Sequence, residues 1–254
     1  MTPTRIAIAG LGAIGRAVAR KLADGKLPGS TLACIATGDG KKARDWIKEQ
    51  NIDCPLVQLE EFPKYADLAI ECAPAALLER ICRPMLEAGK QVMVLSCGAL
   101  LPRPDLVDLA KAHGGRIIVP TGALLGLDAV AASAEGLIHS VRMTTRKPPA
   151  GLRGAPHLVK NNISVEGLNT AKLVFSGTAR EAAAGFPANV NVAAALSLAE
   201  RGASLLTPLA APEVRLVFRL ARRSLFALDE GEHRYRAEDR PRPPGDMEGR
   251  RWSP

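Results

Sequence analysis

From Thr4 to about Thr121 the chain alternates short, near-continuously apolar runs with segments whose apolar residues recur at helical spacing. The run RIAIAG is followed by IGRAVARKLADG, then TLACIAT, KKARDWIKEQ, CPLVQL, DLAIECA, PAALLERICRPMLEAG, QVMVLSC, PDLVDLAKAHGG and RIIVPTG. Runs that are apolar at successive positions suit strands buried on both faces, and the intervening segments suit crossover helices. The pattern predicts an α/β chain with a doubly wound parallel sheet. Gly25, Gly89 and Gly114 fall where helices should stop, and Pro104 falls where one should start.

After Gly122 the texture changes. LIHSVRMTTRK alternates as a half-exposed strand would, a polar stretch carrying Pro148, Pro149, Gly151, Gly154 and Pro156 follows, and TAKLVFSG reads as another strand. Ser176 through Gly185 and Asn189 through Glu200 read as helices. The expected organisation is a first domain over 1–122, a second, smaller α/β domain with an open-faced sheet over 123–200, and a tail over 201–254. That tail has no lysine, eleven arginines and six prolines, and ends EDRPRPPGDMEGRRWSP. Such a composition predicts a divergent, partly disordered segment.

Composition narrows the function classes. At 254 residues, 47% hydrophobic and 24% charged, the chain is long and apolar enough to bury a sizeable core, so disorder and fibres are excluded. No apolar run approaches the roughly 18 residues needed to cross a bilayer, and no signal-peptide pattern follows Met1. A cytoplasmic protein without a membrane partner is expected. The five cysteines stand singly with no C-x-x-C pair, which argues against a disulfide framework and against a thiolate metal site. A net charge of +8 invites a nucleic-acid reading, but the charges are well mixed over the first 200 residues and no basic run is interleaved with aromatics. A nucleic-acid partner is not expected.

Gly10-Leu11-Gly12-Ala13-Ile14-Gly15 follows the first strand and opens the first helix, a G-x-G-x-x-G in the context that dinucleotide binding requires. Gly10 would make the tight turn, Gly12 would admit a pyrophosphate, and Gly15 would let helix and strand pack closely, with the helix N-terminus aimed at the anion. The first domain is therefore read as Rossmann-type, with NAD or NADP as cofactor. The second strand ends Ile35-Ala36-Thr37-Gly38, where an acid would ordinarily hold the ribose hydroxyls of NAD. Asp39 lies just beyond, followed by Lys41, Lys42 and Arg44, so a 2′-phosphate should be tolerated; a solvated first helical turn would account for the same cations. Cys72-Ala73-Pro74, Ser96-Cys97-Gly98-Ala99 and Thr121-Gly122-Ala123 are small-residue strand ends where a nicotinamide would lie. Thr37, Ala73 and Ser96 join the glycine loop as candidate cofactor contacts, although tight helix–strand packing alone would also call for small residues there.

These residues resemble the L-aspartate dehydrogenase family. The segments G-L-G-A-I-G, E-C-A-P, S-C-G-A-L, P-T-G-A-L-L-G-L-D-A, R-K-P-P, L-V-F-S-G-T-A-R-E-A and F-P-A-N-V-N-V-A-A-A-L-S-L-A occur in the family's order over about residues 4–200. The resemblance implies oxidation of L-aspartate to iminoaspartate with NAD(P), the imine serving pyridine nucleotide synthesis or hydrolysing to oxaloacetate and ammonia. It also implies a homodimer, and it matches Ala123 and Asn191 to the family's two cofactor-contacting positions outside the glycine loop. A side-chain amide at Asn191 can donate and accept at once, which suits the carboxamide of nicotinamide. Asn191 could instead simply open a helix, with Asn189 the better cap, and Asp128 also reads as a cap.

The resemblance ends after Leu198-Ala199. The family carries a histidine about 30 residues beyond the asparagine, whereas this chain reads R-L-V-F-R-L-A-R-R around Leu220-Ala221 and has no histidine between His157 and His233. Translation of a GC-rich gene in a shifted frame would produce such a tail. His233 is a weak catalytic candidate, and His113, His139 and His157 are weaker still, so the catalytic residue stays unassigned. Arg146 and Lys147 are the candidate binders of substrate carboxylates, although a solvated strand edge would also explain them. Two rival readings follow: a cofactor-binding but catalytically impaired relative, and a dehydrogenase of another small amino or hydroxy acid.

Overall fold

Isoleucines 6 and 8 of β1 (Thr4–Ala9) belong to one buried cluster and alanines 7 and 9 to another, so the strand buries side chains on both faces of the sheet. The computed structural model describes residues 2–120, 122, 126–133, 136, 141–168, 172–187, 189–199 and 215–220. In the first half β1 is followed by α1 (Ala13–Ala23), β2 (Ser30–Ala36), α2 (Gly40–Glu49), α3 (Phe62–Tyr65), β3 (Leu68–Glu71), α4 (Leu78–Glu87), β4 (Gln91–Val94), α5 (Cys97–Leu100), α6 (Pro104–His113) and β5 (Arg116–Ile118). The second half adds α7 (Leu127–Ser133), β6 (Arg142–Lys147), α8 (Pro149–Leu152), α9 (Pro156–Lys160), β7 (Lys172–Thr178), α10 (Ala179–Gly185), α11 (Asn191–Ala199) and β8 (Arg215–Leu220).

The first sheet is parallel, in the order β2-β1-β3-β4-β5. Outside β2 the chain adds one more pairing, a parallel bridge between Ile35 and Leu56, with the Ile35 amide donating to the Pro55 carbonyl at 3.0 Å and the Val57 amide to the Ile35 carbonyl at 2.9 Å. Counting that bridge as a vestigial strand restores the six-position doubly wound order of a dinucleotide-binding domain. The sequence pattern makes CPLVQL a full strand, and the structure does not. Pro55 has no amide to give a ladder, and the chain turns into a short 3-10 helix from Leu59, so only the bridge forms. The helix ends agree with expectation: Gly25, Gly89 and Gly114 have φ of 65°, 69° and 70°, and Pro104 is the first residue of α6.

In the second sheet the order is β6-β8-β7, with β8 parallel to β6 and antiparallel to β7. Composition predicts a partly disordered segment over 201–254 and singles out no strand there; Arg215–Leu220 supplies the central strand. Its physical basis is the near-continuous apolar core of RLVFRL, which is strand-like despite the arginine-rich surroundings. The rest of 201–254 lies outside the described residues. Ser176 to Thr178 end β7 instead of opening a helix. Thr178 is the N-cap of α10 in a capping box with Glu181, its hydroxyl accepting the Glu181 amide at 3.1 Å.

One buried cluster runs from Ala7, Phe62, Leu78 and Val94 of the first half into Phe175, Phe186 and Ala193 to Leu196 of the second. Phe62 and Phe186 are fully buried, and truncating either to alanine should cost about 3–5 kcal/mol. α11 packs on α5, which seats the start of α11 at the carboxyl edge of the first sheet.

Candidate functional site

The connection reverses direction between β1 and β3: the crossover after β1 leads outward to β2, and the one after β3 leads the other way to β4. Open α/β sheets take their ligands in the crevice at the carboxyl ends of such strands. Gly10 leaves β1 with φ +96°, a region that disfavours L side chains, and a Cβ there would lie 2.6 Å from the Cys72 carbonyl oxygen. A Cβ on Gly15 would lie 1.9 Å from the Gly10 carbonyl oxygen. The fold itself therefore demands both glycines.

Gly12 differs from both. It has an ordinary extended φ of −75°, and among the described residues no atom lies within 4 Å of where its Cβ would stand. It is also the N-cap of α1, a cap with no side chain, and α1 has no acidic residue in its first turn. The arrangement leaves open space beside the positive end of an eleven-residue helix, which fits a pyrophosphate. Leu11 is buried, Gly12 and Ala13 are exposed, and Ile14 keeps 55% of its surface exposed beside this space. Arg16 ties the loop down, its Nε donating to the Leu11 carbonyl at 3.0 Å while the guanidinium stacks 5.6 Å from the Trp46 ring centre.

At the end of β2, Thr37 is half-buried and Asp39 is the N-cap of α2. The Asp39 carboxylate accepts the Lys42 amide at 3.0 Å and meets Lys42 Nζ at 3.3 Å, and the amide bond holds its pKa below the usual carboxylate value. Asp39 is thus already engaged in capping. Arg44 Nη1 would lie 3.5 Å from a Cβ on Gly40, back over the helix start.

Beside Gly10 the end of β3 carries Glu71, a carboxylate with no exposed surface. It accepts the Leu95 amide at 3.1 Å, the Ser96 amide at 2.8 Å and the Ser96 hydroxyl at 3.0 Å. Burial pushes its pKa up against the pull of these donors. Ala73 is half-buried and packs under Gly10, its Cα 3.0 Å from that position's would-be Cβ. Cys72 and Cys97 flank the crevice, but burial pushes both thiols up to about 11, so neither offers a thiolate at neutral pH.

Across the crevice, Asn191 is the first residue of α11, and its Oδ1 accepts the Gly98 amide at 3.1 Å. Asn189 turns its amide nitrogen to the Gly151 carbonyl at 3.0 Å. Asp128 sits inside the first turn of α7. Between the two halves lies a cavity of about 690 Å³ lined by Ala75, Ser96, Gly98, Arg180, Asn191 and small apolar residues. The sequence-predicted Ser96 and Asn191 therefore meet there. Arg146 and Lys147 end β6 opposite Arg219 and Leu220 of β8 and are not among the lining residues.

His113 is exposed in the last turn of α6. His157 lies against Phe175 and Phe186 at 5.1 and 5.2 Å between ring centres, lining a different cavity on the second half. Ala123, His139 and His233 lie outside the described residues. Two residues of the crevice escape a reading of the sequence. Glu71 carries a usable signal, a lone acid in an otherwise apolar strand, whereas Arg180, in the first turn of α10, carries none.

A family model described as "Homoserine dehydrogenase, NAD binding domain" matches residues 10–120, and one described as "Aspartate dehydrogenase, C-terminal" matches residues 128–215. L-aspartate dehydrogenase 3 of Bordetella bronchiseptica is 52% identical over 197 residues, which cover 78% of this chain and 72% of that one. L-aspartate dehydrogenase of Bradyrhizobium diazoefficiens is 50% identical over 198 residues, covering 78% and 70%. Among solved structures, aspartate dehydrogenase from Thermotoga maritima superposes with a TM-score of 0.61 at 22% identity, covering 86% of this chain and 79% of that one, a likeness of fold.

Proposed function

Since the chain belongs to the L-aspartate dehydrogenase family, we propose that it oxidises L-aspartate with NAD(P), giving iminoaspartate that hydrolyses to oxaloacetate and ammonia. The observation that carries this reading is the Asn191–Gly98 hydrogen bond, which pins the half that matches the aspartate dehydrogenase C-terminal model to the carboxyl edge of the half that matches the NAD-binding model.

Bound nicotinamide supplies the acceptor for the hydride that leaves the substrate Cα. The chain's own residues hold that acceptor. Gly10, Leu11, Gly12, Ala13, Ile14 and Gly15 would receive the pyrophosphate at the start of α1, and Thr37 would serve the ribose. Ala73, Ser96 and Asn191 would border the nicotinamide. Asn191 Oδ1 is taken by Gly98, which leaves its Nδ2 hydrogens to donate to a carboxamide oxygen. Because the Ser96 hydroxyl donates to Glu71, the loop it belongs to is held rigid for that contact. The Asp39 carboxylate is engaged as a cap and its charge is offset by Lys42, with Lys41 and Arg44 close by in the chain, which supports use of NADP alongside NAD.

Among the described residues no helix is long and apolar enough to cross a membrane, and no group of three metal-ligating side chains gathers. Five cysteines outside disulfides suit a reducing cytoplasm. Alternating exposure along β6 leaves one sheet face for a second copy, as a homodimer requires. Supply of iminoaspartate to pyridine nucleotide synthesis is the corresponding cellular role.

A second reading, cofactor binding without turnover, draws on one observation: among the described residues, no histidine lines the crevice. Reduced-nicotinamide absorbance with L-aspartate at alkaline pH, run beside an NADPH fluorescence titration, separates the two. Turnover supports the dehydrogenase, and binding without turnover supports the second reading.

A further inference from the structure

Oxidation of a dicarboxylic amino acid needs a cation that distinguishes it from a monocarboxylic one. Arg180 is the charged residue among those lining the 690 Å³ cavity, whose other walls are mostly alanine, proline and leucine. Its Nη1 donates to the Leu101 carbonyl at 3.1 Å, which fixes one edge of the guanidinium, and among the described residues no carboxylate pairs with it. A planar guanidinium held by one hydrogen on one edge retains other donors in a fixed fork, suited to two oxygens of a carboxylate.

Position along α5 says which carboxylate. Asn191 contacts Gly98 near the start of that helix and Arg180 contacts Leu101 just past its end, so the two anchors stand three residues, or roughly 4.5 Å of helical rise, apart. With the reacting carbon beside the nicotinamide at the Asn191 and Ser96 end, a group two bonds further along the substrate reaches the Arg180 end. We propose that Arg180 binds the side-chain carboxylate of the substrate and so selects aspartate over monocarboxylic amino acids. The proposal rests on the aspartate dehydrogenase reading, and Arg146 and Lys147 give up to Arg180 the role expected for them from sequence.

The test uses the full chain, its Arg180→Met variant and its Arg180→Lys variant. In steady state with NADP, Arg180→Met is expected to raise the KM for L-aspartate by about 30-fold or more, as loss of a hydrogen-bonded charge pair implies. The same variant should leave the NADPH dissociation constant unchanged, and Arg180→Lys should recover part of the loss. An unchanged KM, or a loss of NADPH binding in step with it, would overturn the proposal. Calorimetry of succinate against NADPH-loaded protein decides the matter even without turnover. Succinate binding that the parent shows and Arg180→Met loses supports the assignment though the enzymatic reading fails, whereas equal binding, or none to the parent, refutes it.

Discussion

Ser96 gives both of its polar hydrogens to Glu71, the amide at 2.8 Å and the hydroxyl at 3.0 Å, so a single buried carboxylate holds the loop after β4 against the end of β3. Burial raises the Glu71 pKa above the ordinary glutamate value of about 4.3. The folded chain therefore keeps a proton on Glu71 over a range where the unfolded chain has lost it. The stability this group contributes is complete below the ordinary value and declines as pH rises through the raised one. Glu71→Gln can accept the two amides through its carbonyl oxygen and donate to the Ser96 hydroxyl, so it should remove that decline without unpairing the loop. Glu71→Ala should cost on the order of 3 kcal/mol by leaving buried donors unmatched. Urea midpoints measured across pH decide it, and a Glu71→Gln variant whose pH slope equals the parent's would refute the account.

The glycines of the first loop separate fold from binding. Gly15→Ala places a methyl group 1.9 Å from the Gly10 carbonyl oxygen and should destabilise the chain by about 3 kcal/mol. Gly12→Ala meets no described atom within 4 Å and should leave stability within about 0.5 kcal/mol, while NADPH affinity falls at least ~10-fold as the methyl group takes the space of the pyrophosphate. Thermal melts and fluorescence titrations of the two variants check this. Parent-like NADPH binding by Gly12→Ala would contradict the placement.

Charge at the start of α2 should set cofactor choice. Lys42 is paired with Asp39, so Lys41 and Arg44 are the cations to remove. The double variant Lys41→Ala, Arg44→Ala is expected to weaken NADPH by roughly 10-fold at low salt and to leave NADH unchanged, with the difference shrinking as salt is added. Equal effects on both cofactors would assign these residues to solvent.

Legibility follows locality. The five strands of the first sheet can be read because each is a short apolar run, buried on both faces in β1, β2 and β3, and the glycine loop because its three constraints fall within six residues. Whether Gly12 faces ligand space or a neighbour, by contrast, depends on Cys72, some sixty residues away, which crowds Gly10 and not Gly12. Arg180 is invisible for the same reason: its role depends on Leu101, which no local pattern joins to it. The segment 215–220 is masked by its surroundings, an arginine-rich and proline-rich composition that outweighs six strand-forming residues.

Val217 pairs with Thr144 on one side and Ser176 on the other, at the middle of the second sheet. Val217→Pro removes an amide from that ladder and should destabilise the second half by about 3 kcal/mol. Amide exchange should then quicken across β6 and β7 while β1 and β3 stay protected. Unchanged protection in β6 and β7 would mean that β8 does not hold them together.

The order of that sheet also sets a timetable for synthesis. β1 to β5 and their helices are complete once residue 118 has left the ribosome, and each strand pairs with a neighbour made shortly before or after it. β6 and β7 have no such option, because the strand that joins them is made last of the three and one of its two pairings is parallel. The nascent chain must therefore carry two unpaired strand edges for the whole interval between residues 178 and 215, the period in which holdase chaperones have a surface to grip and neighbouring nascent chains have a strand to borrow.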